Sequence, residues 1–136
     1  MTIEETQAEI LSEFEYLEDW LDKYQQLIDM GQTLPAGDEQ LKQDKNLIRG
    51  CQSRVWIDCN KEGDLLHFRA DSDAVITKGI VSLLLRIYDG HTAKEILDTN
   101  LYVLDKIGLH EHLSPTRANG LVAMVEQIRD YARRNL

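Results

Sequence analysis

The sequence predicts an α+β fold in which helices pack around a small antiparallel β-sheet. Apolar residues recur at helical spacing from residue 3 to 28, alternate with polar residues between 54 and 70, and return to helical spacing from 74 onward. The chain has 136 residues, 43% of them hydrophobic, which is enough to bury one core. We therefore expect a single domain over residues 1–136 that needs neither a metal nor a disulfide framework.

The N-terminal segment has apolar residues at steps of three, four and seven, which is the spacing of one helical face. Thr2 followed by Glu5 has the pattern of a capping box, so a helix is predicted to begin here. Gly31 with Pro35 beyond it predicts the end of the helical region. We expect one long helix, or two helices with a break near Tyr16.

The middle of the chain predicts a β-hairpin. Residues 54–59 and 65–70 alternate between apolar and polar side chains, and the turn-forming residues 60–63 lie between them. Two strands alone are only marginally stable in water. We therefore expect either a third short strand at about 45–48 or helices packed over one face of the hairpin.

Helical patterns follow the hairpin to the end of the chain. Residues 71–73 offer N-cap candidates for an apolar helix over 74–88, which we expect to be the most buried helix. Shorter helices are predicted at 92–97, which opens with a capping box, and at 101–107. A final helix is predicted from Ser114, because a serine N-cap followed by proline is typical of a helix start.

One cysteine is placed where a reactive thiol would be expected. The segment 32–50 is predicted to be a loop, with a turn at 35–38 and room for one or two helical turns at 39–43, and it leads to Cys51. Gly50 gives the backbone freedom, while Arg49 and Arg54 supply positive charge that favours a thiolate. A mobile loop would let this thiol alternate between sheltered and exposed positions. The alternative is that Cys51 is merely a small apolar side chain.

The other candidates indicate no further chemistry. Cys59 lies on the apolar side of the first strand, and we interpret it as a core residue. His110 and His112 lie in a predicted loop without further ligands nearby, which disfavours a metal site. The sequence has no nucleophile elbow, phosphate loop or dinucleotide-binding glycine pattern. A papain-like protease is disfavoured too, because its cysteine normally begins a helix, whereas Cys51 precedes a strand.

Composition restricts the partners and the location. Fifteen Lys and Arg against 24 Asp and Glu give a formal charge of −9, which repels nucleic acid and anionic lipid, so we expect neither as a partner. No apolar run approaches the ~20 residues that cross a bilayer, and the first residues lack signal-peptide features. We expect a cytoplasmic protein whose two cysteines stay reduced.

Three separated motifs resemble the SufE family of sulfur-acceptor proteins. They are GCQSRVW at 50–56, DSDA at 71–74 with the following Lys78-Gly79, and HLSPTR at 112–117 with Gly120, Leu121 and Met124 beyond it. The N-terminal part is also similar to the family, through Trp20, Lys23-Tyr24 and IDMGQTLP at 28–35. The resemblance thus extends over nearly the whole chain.

The resemblance implies a role in iron–sulfur cluster assembly. Such a protein receives persulfide sulfur from a SufS-type cysteine desulfurase, stimulates that enzyme, and passes the sulfur to the SufBCD scaffold. Pyridoxal phosphate belongs to the desulfurase, so no cofactor or metal is expected on this chain. The family also allows a homodimer, and its fold is related to IscU-type scaffolds, in agreement with the α+β prediction.

The resemblance also implies a set of site residues. Cys51 is the acceptor that carries the persulfide, and it functions as a sulfurtransferase-like accessory rather than a stand-alone enzyme. The loop and its border comprise Gly50, Gln52, Ser53, Trp56 and Asp73. The surface that faces the partner comprises His112 and Arg117.

Three other interpretations remain open at the level of sequence. A binding module would regulate a desulfurase without carrying sulfur. A cluster scaffold would bind iron or zinc and would need several ligands. A CsdE-type paralogue would use the same chemistry with a different desulfurase.

Overall fold

The computed structural model describes all residues from Met1 to Leu136 and confirms the α+β fold class. It contains seven α-helices, one 3₁₀ turn and one antiparallel sheet of three strands in the order β1-β2-β3. The elements, in chain order, are α1 Ile3–Glu15, α2 Trp20–Gln32, the 3₁₀ turn Asp44–Asn46, β1 Val55–Glu62, β2 Leu65–Ser72, α3 Val75–Tyr88, β3 His91–Thr92, α4 Ala93–Asp98, α5 Val103–Lys106, α6 Leu109–His112 and α7 Pro115–Arg134.

The N-terminal region forms two helices with the expected break, which begins at Tyr16. The predicted capping box is present, because the Thr2 hydroxyl accepts the Glu5 N–H at 3.0 Å while the Glu5 carboxylate accepts the Thr2 N–H at 2.9 Å. The carboxylate of Asp19 then caps α2 by accepting the Asp22 N–H at 2.9 Å. A new N-cap at this position explains why one continuous helix does not form.

The hairpin is longer than the sequence predicts. Strand β1 pairs with β2 from Val55 opposite Ser72 to Glu62 opposite Leu65, so only two residues form the turn. The first of them, Gly63, has φ of +60°, a conformation that glycine adopts without strain. The prediction of a loop at 60–63 is therefore wrong for its first three residues. Their side chains are exposed, so backbone pairing continues where apolar alternation has already ended.

The third strand of the sheet is not the expected one. The segment 45–48 contributes only an isolated bridge between Leu47 and Trp56. Strand β3 instead pairs with the first residues of β2, at the other edge of the hairpin. Thr92 belongs to this strand and also caps α4, since its hydroxyl accepts the Glu95 N–H at 3.1 Å. A two-residue strand that serves as a helix cap leaves no alternating pattern to detect.

Helix α3 is the central helix, as expected, with ten of its 14 residues buried. It crosses α2 closely, because a Cβ atom built on Gly79 would lie 2.1 Å from the Leu27 carbonyl oxygen. The prediction that 71–73 cap this helix is wrong: its N-cap is Ala74, which makes no side-chain hydrogen bond. The acidic side chains before it bind other segments instead.

The buried carboxylate of Asp71 joins three segments. It accepts the Gly37 N–H at 2.9 Å and lies 3.4 and 3.3 Å from the ammonium groups of Lys42 and Lys78. Burial opposes its charge, but backbone hydrogen bonds from Gly37 and Ser72 and the Lys78 ammonium outweigh that effect and lower the pKa of Asp71. This carboxylate therefore fixes the 37–42 segment against β2 and α3.

The C-terminal helices differ from the predictions in length. Helix α5 covers only Val103–Lys106, and the predicted loop around His110 is the short helix α6. Helix α7 begins as predicted, with the Ser114 hydroxyl accepting the Arg117 N–H at 3.3 Å. No helix combines the length and the apolar character needed to span a bilayer. The long helix α7 packs on α3, α4 and β1 and supplies one wall of the site described next.

Candidate functional site

The segment 49–54 is a loop whose two ends are held together. The Ile48 N–H donates to the Val55 carbonyl at 2.8 Å, which closes the base of the loop. The Asp73 carboxylate accepts the Arg54 N–H at 3.0 Å, and the Ser72 hydroxyl donates to the Arg54 carbonyl at 2.9 Å. The tip of the loop is thus the part that can move without disturbing the sheet.

Cys51 lies at this tip and is directed toward α7. Gly50 has φ of +92°, so only a glycine turns the chain here without strain. The Cys51 S–H donates to the Gly120 carbonyl at 3.6 Å, a long and weak contact. A Cβ atom on Gly120 would lie 3.2 Å from Cys51 Sγ, so the thiol occupies the space that the missing side chain leaves. The half-buried thiol is packed against the helix, not bonded strongly to it.

A small cleft of about 60 Å³ opens beside the thiol, between α3 and α7. Its walls combine apolar side chains with hydroxyl, amide and guanidinium groups. The lining residues are Cys51, Gln52, Ser53, Thr77, Ile80, Thr116, Arg117, Gly120 and Met124. The cleft therefore offers both a dry wall and hydrogen-bond donors to whatever extends from Cys51 Sγ.

Burial raises the pKa of the Cys51 thiol above its usual range. This direction is opposite to the one expected from the neighbouring arginines. Both Arg49 and Arg54 are exposed, so solvent screens their charge while the thiol itself loses hydration. In this conformation Cys51 is a protonated thiol at neutral pH.

The structure brings only some of the expected site residues to this cleft. Gln52, Ser53 and Arg117 line it, whereas Asp73 acts at the base of the loop. Trp56 is buried in β1. Its backbone pairs with Leu47 in an isolated β-bridge, and the Lys42 ammonium lies over its ring. Trp56 therefore does not line the cleft.

His112 also lies away from the cleft. Its ring stacks on Trp20 with the centroids 3.8 Å apart, and its Nδ1 atom is 3.0 Å from the Gly108 carbonyl oxygen. The Tyr24 hydroxyl donates to the His112 carbonyl, which ties α6 to α2. The position of His112 is thus that of a helix-packing residue at the surface.

Apart from Arg117, the residues that α3 and α7 contribute to the cleft were not predicted as site residues from the sequence. Thr77, Ile80, Thr116 and Met124 are separated from Cys51 by the whole hairpin, so no local pattern connects them. Gly120 carried a usable signal, since glycine inside a helix costs about 1 kcal/mol relative to alanine and so indicates a close approach. That approach is the contact with Cys51 Sγ.

Cys59 has a different environment. It is half-buried in β1 opposite Phe68, and it packs against the core as predicted, although not fully inside it. Burial, followed by the charges of Asp58 and Asp89, raises the pKa of Cys59 to about 11. No group of three or more His, Cys, Asp and Glu side chains is placed to hold a metal ion.

A model of the SufE family, described as an Fe-S metabolism associated domain, matches residues 8–132. The chain belongs to the SufE family. Two uncharacterized SufE-like proteins support the assignment. One, from Rhizobium etli, is 38% identical over 92% of this chain and 88% of its own length. The other, from Rhizobium meliloti, is 40% identical over 91% of this chain and 92% of its own length.

The SufE fold is also recognisable at low sequence identity. The solution structure of a hypothetical protein from Thermus thermophilus is similar to this chain with a TM-score of 0.78, at 20% identity. The match covers 96% of this chain and 95% of the other. This likeness concerns the fold alone. Membership of the SufE family associates the chain with iron–sulfur metabolism.

Proposed function

We propose that this SufE-family chain is a sulfur acceptor that carries a persulfide on Cys51. The sulfur comes from a SufS-type cysteine desulfurase and passes to the SufBCD scaffold. The observation that carries the proposal is the position of Cys51: its thiol stands on a loop with a fixed base and a glycine hinge, next to a cleft that can receive one more atom. The other cysteine, Cys59, lies in the paired strand β1 and not on a loop with a glycine hinge.

The proposed reaction is a thiol–persulfide exchange. The Cys51 thiolate attacks the outer sulfur of the desulfurase persulfide, and a new S–S bond forms at Cys51 Sγ. The sulfur–sulfur bond in the desulfurase breaks at the same time, and its cysteine leaves as a thiolate. One sulfur atom moves, the total charge is unchanged, and no external oxidant or reductant is required.

Two positions of the thiol suit the two stages of this reaction. Within the cleft, burial keeps Cys51 protonated and unreactive. The 3.6 Å contact with the Gly120 carbonyl is weak enough to be replaced when a partner docks. Rotation about Gly50 then exposes the thiol, restores its hydration, and lowers its pKa toward that of a free cysteine. The same rotation in reverse shelters the product persulfide.

The proposal extends to partners and location. The desulfurase supplies pyridoxal phosphate, so this chain needs no cofactor of its own. Stimulation of the desulfurase follows because removing the persulfide frees the enzyme for its next turnover. We place the reaction in the cytoplasm, where reduced thiols are maintained. A CsdE-type pathway would use the same steps with another desulfurase.

Mass spectrometry tests the proposal. The full chain is incubated with a SufS-type desulfurase and cysteine, and alkylated peptides are then analysed. We expect Cys51 to gain the mass of one sulfur atom, Cys51→Ser to gain none while keeping its fold, and Cys59→Ser to behave like the wild type. Faster desulfurase turnover without any sulfur on Cys51 would contradict sulfur transfer and would favour a regulatory binding module.

A further inference from the structure

The outer edge of strand β1 is covered along only part of its length. The sheet order β1-β2-β3 leaves this strand with β2 on one side and no strand on the other. Hydrogen-bonding directions alternate along it: the Asp73 N–H donates to the Arg54 carbonyl on the β2 side, and the Ile48 N–H donates to the Val55 carbonyl on the outer side. Odd-numbered residues of β1 therefore direct their backbone groups to the outer edge.

The chain covers this edge only as far as Ile57. Leu47 forms a single bridge with Trp56, and the Tyr131 hydroxyl donates to the Ile57 carbonyl at 3.1 Å. The chain that precedes Leu47 bends into the 3₁₀ turn instead of running on beside β1. A strand that continued this short segment would pair with the rest of the edge, and the protein itself does not supply one.

Cys59 and Lys61 are the odd-numbered residues that remain. Each directs one N–H and one C=O outward, so together they offer main-chain hydrogen bonds at the spacing of a β-ladder. An unpaired strand edge is a template for an added strand. Lysine on an edge usually blocks such pairing, but the Lys61 ammonium is directed to the Asn135 carbonyl at the end of α7, 3.3 Å away.

A groove of about 830 Å³ opens at this edge. Because side chains alternate along a strand, its walls come from both faces of the sheet: Asp58 and Arg69 lie on one face, and Cys59 lies on the other with Tyr131 of α7. At the spacings of a β-sheet an extended residue takes up roughly 160 Å³, so the groove has room for about five residues. The space therefore matches a short added strand.

The charge of the groove is opposite to that of the chain. Its cationic side chains are Lys45, Arg69 and Arg134, and its one carboxylate is that of Asp58, which accepts a hydrogen bond from Arg69 at 3.2 Å. Arg134 pairs with Asp130 one turn earlier on the exposed surface of α7. Exposed pairs of this kind contribute little stability, so Arg134 exchanges its carboxylate partner readily. An acidic segment therefore fits this groove better than a basic one.

We propose that this edge groove docks an extended, acidic segment of a partner protein, which adds a strand to β1 beside Cys59 and Lys61. Main-chain hydrogen bonds supply the affinity, and the cations of the groove select carboxylate side chains. The site lies at the far end of α7 from the thiol, because Gly120, which touches Cys51, and Arg134 are about 20 Å apart along the helix. A docked segment thus leaves Cys51 free, and the inference does not depend on sulfur transfer.

A second copy of this chain fits the edge less well than a different protein. Two β1 strands that paired antiparallel through Cys59 and Lys61 would place Asp58 of each strand opposite Glu62 of the other. Like charges directly opposite each other on neighbouring strands are destabilising. The strand itself therefore disfavours self-pairing, while the groove beside it favours an acidic partner.

NMR titration of the full-length, ¹⁵N-labelled chain tests the proposal. The probe is a short peptide, blocked at both ends, in which valine and aspartate alternate. We expect the amide signals of Cys59 and Lys61 to shift as the peptide is added, while the signals of the Cys51 loop stay in place. The same peptide with lysine instead of aspartate should bind about tenfold more weakly, and a version with every amide nitrogen methylated should not bind, because it has no main-chain donors.

Matched variants separate strand pairing from charge. Lys61→Pro removes an N–H that does not bond to β2, and proline is tolerated at such an edge position, so the hairpin should persist while affinity for the peptide falls about tenfold. Lys61→Thr loses the same side chain but keeps the N–H, and it should bind within about threefold of the wild type. Lys45→Glu should weaken binding severalfold, whereas Lys94→Glu, the same charge change on the exposed surface of α4, should not.

Several results would overturn the inference. They are no binding of the aspartate peptide, equal affinity for the aspartate and lysine peptides, equal affinity of Lys61→Pro and Lys61→Thr, and shifts confined to the Cys51 loop. A dimer that forms as concentration rises and disappears in Lys61→Pro, measured by analytical ultracentrifugation, would assign the edge to a second copy of the chain instead. None of these measurements requires a persulfide, so they are independent of the test of the proposed function.

Discussion

At the residue scale, the surroundings of each thiol set how readily it ionises. Burial alone raises the pKa of Cys51 and keeps the thiol protonated; no charged group contributes to the shift. Cys59 is half-buried as well, and the carboxylates of Asp58 and Asp89 add to the effect. The difference matters for reactivity because the loop movement that we propose would expose Cys51, whereas Cys59 is fixed in a paired strand.

Alkylation as a function of pH distinguishes the two thiols. The thiolate fraction of a cysteine with a raised pKa is still increasing above pH 8.5, so both rates should keep rising there. At pH 8 we expect iodoacetamide to modify Cys51 faster than Cys59. Two pKa units leave Cys59 with roughly a hundredth of the thiolate of an unperturbed cysteine. Peptide mapping provides the measurement, and a Cys51 rate that levels off below pH 8 would contradict the buried resting state.

Gly120→Ala should separate the fold from the position of the thiol. Alanine is favoured over glycine in a helix by about 1 kcal/mol, so α7 should become slightly more stable. The added methyl would lie 3.2 Å from Cys51 Sγ, and the thiol at a loop tip is the group that yields. We expect an unchanged or higher melting temperature and alkylation of Cys51 that is several-fold faster.

The neighbouring residue Asn119 provides the control for this variant. It is exposed on α7 and does not line the cleft, so Asn119→Ala changes helix propensity without touching the thiol. Its Cys51 alkylation rate should equal that of the wild type. If Gly120→Ala also left the rate unchanged, the close contact at position 120 would not be what shelters Cys51.

At the scale of elements, sequence patterns predicted those parts of the fold whose side chains repeat. The amphipathic α1 and α2, the alternating part of the hairpin and the apolar α3 were found because burial imposes a period on each of them. Strand β3 was missed because it has only two residues, and α6 because four residues give no period. The cleft residues on α3, and those on α7 other than Arg117, were not assigned to the site because tertiary packing brings them to Cys51.

The crossing of α2 and α3 makes Gly79 a test of element packing. A Cβ at this position would meet the Leu27 carbonyl oxygen at 2.1 Å, and this atom belongs to the rigid backbone of α2. The two helices must therefore separate. We expect Gly79→Ala to lower the free energy of unfolding by about 3 kcal/mol, the upper part of the range for overpacked cores.

Thermal or urea denaturation measures this effect, and Gly120→Ala serves as a matched comparison. Both variants add one methyl group to a buried helical glycine, but the atom opposite Gly120 belongs to a loop and the atom opposite Gly79 to a helix backbone. Opposite changes in stability are expected from the same substitution. Equal stability of Gly79→Ala and the wild type would show that α2 and α3 are less tightly packed than described.

At the scale of the whole molecule, the formal charge of −9 and the paired carboxylates act in opposite directions as pH falls. Self-repulsion among unpaired carboxylates destabilises the folded state at neutral pH, and protonation toward the isoelectric point near 4.8 relieves it. Glu13 behaves differently: the Arg86 guanidinium binds it and lowers its pKa, as hydrogen bonds and Lys78 do for the buried Asp71. Each of these two carboxylates stabilises the folded state more when it is charged than when it is protonated.

These opposing effects predict a maximum of stability at mildly acidic pH. Because the folded-state pKa values of Glu13 and Asp71 lie below their unfolded values, their contribution is complete above about pH 4.3 and is lost as pH falls further. The melting temperature should rise modestly from pH 7.5 to about 5 and fall below about 4. Differential scanning calorimetry provides the measurement.

The same measurement in 0.5 M salt, where the Debye length is roughly 4 Å, separates the two effects. The rise above pH 5 should flatten, because salt screens the long-range repulsion that causes it. The loss of stability at acid pH should largely remain, because it depends on short contacts. A rise that persists unchanged in salt would show that specific contacts, not net charge, set the neutral-pH stability.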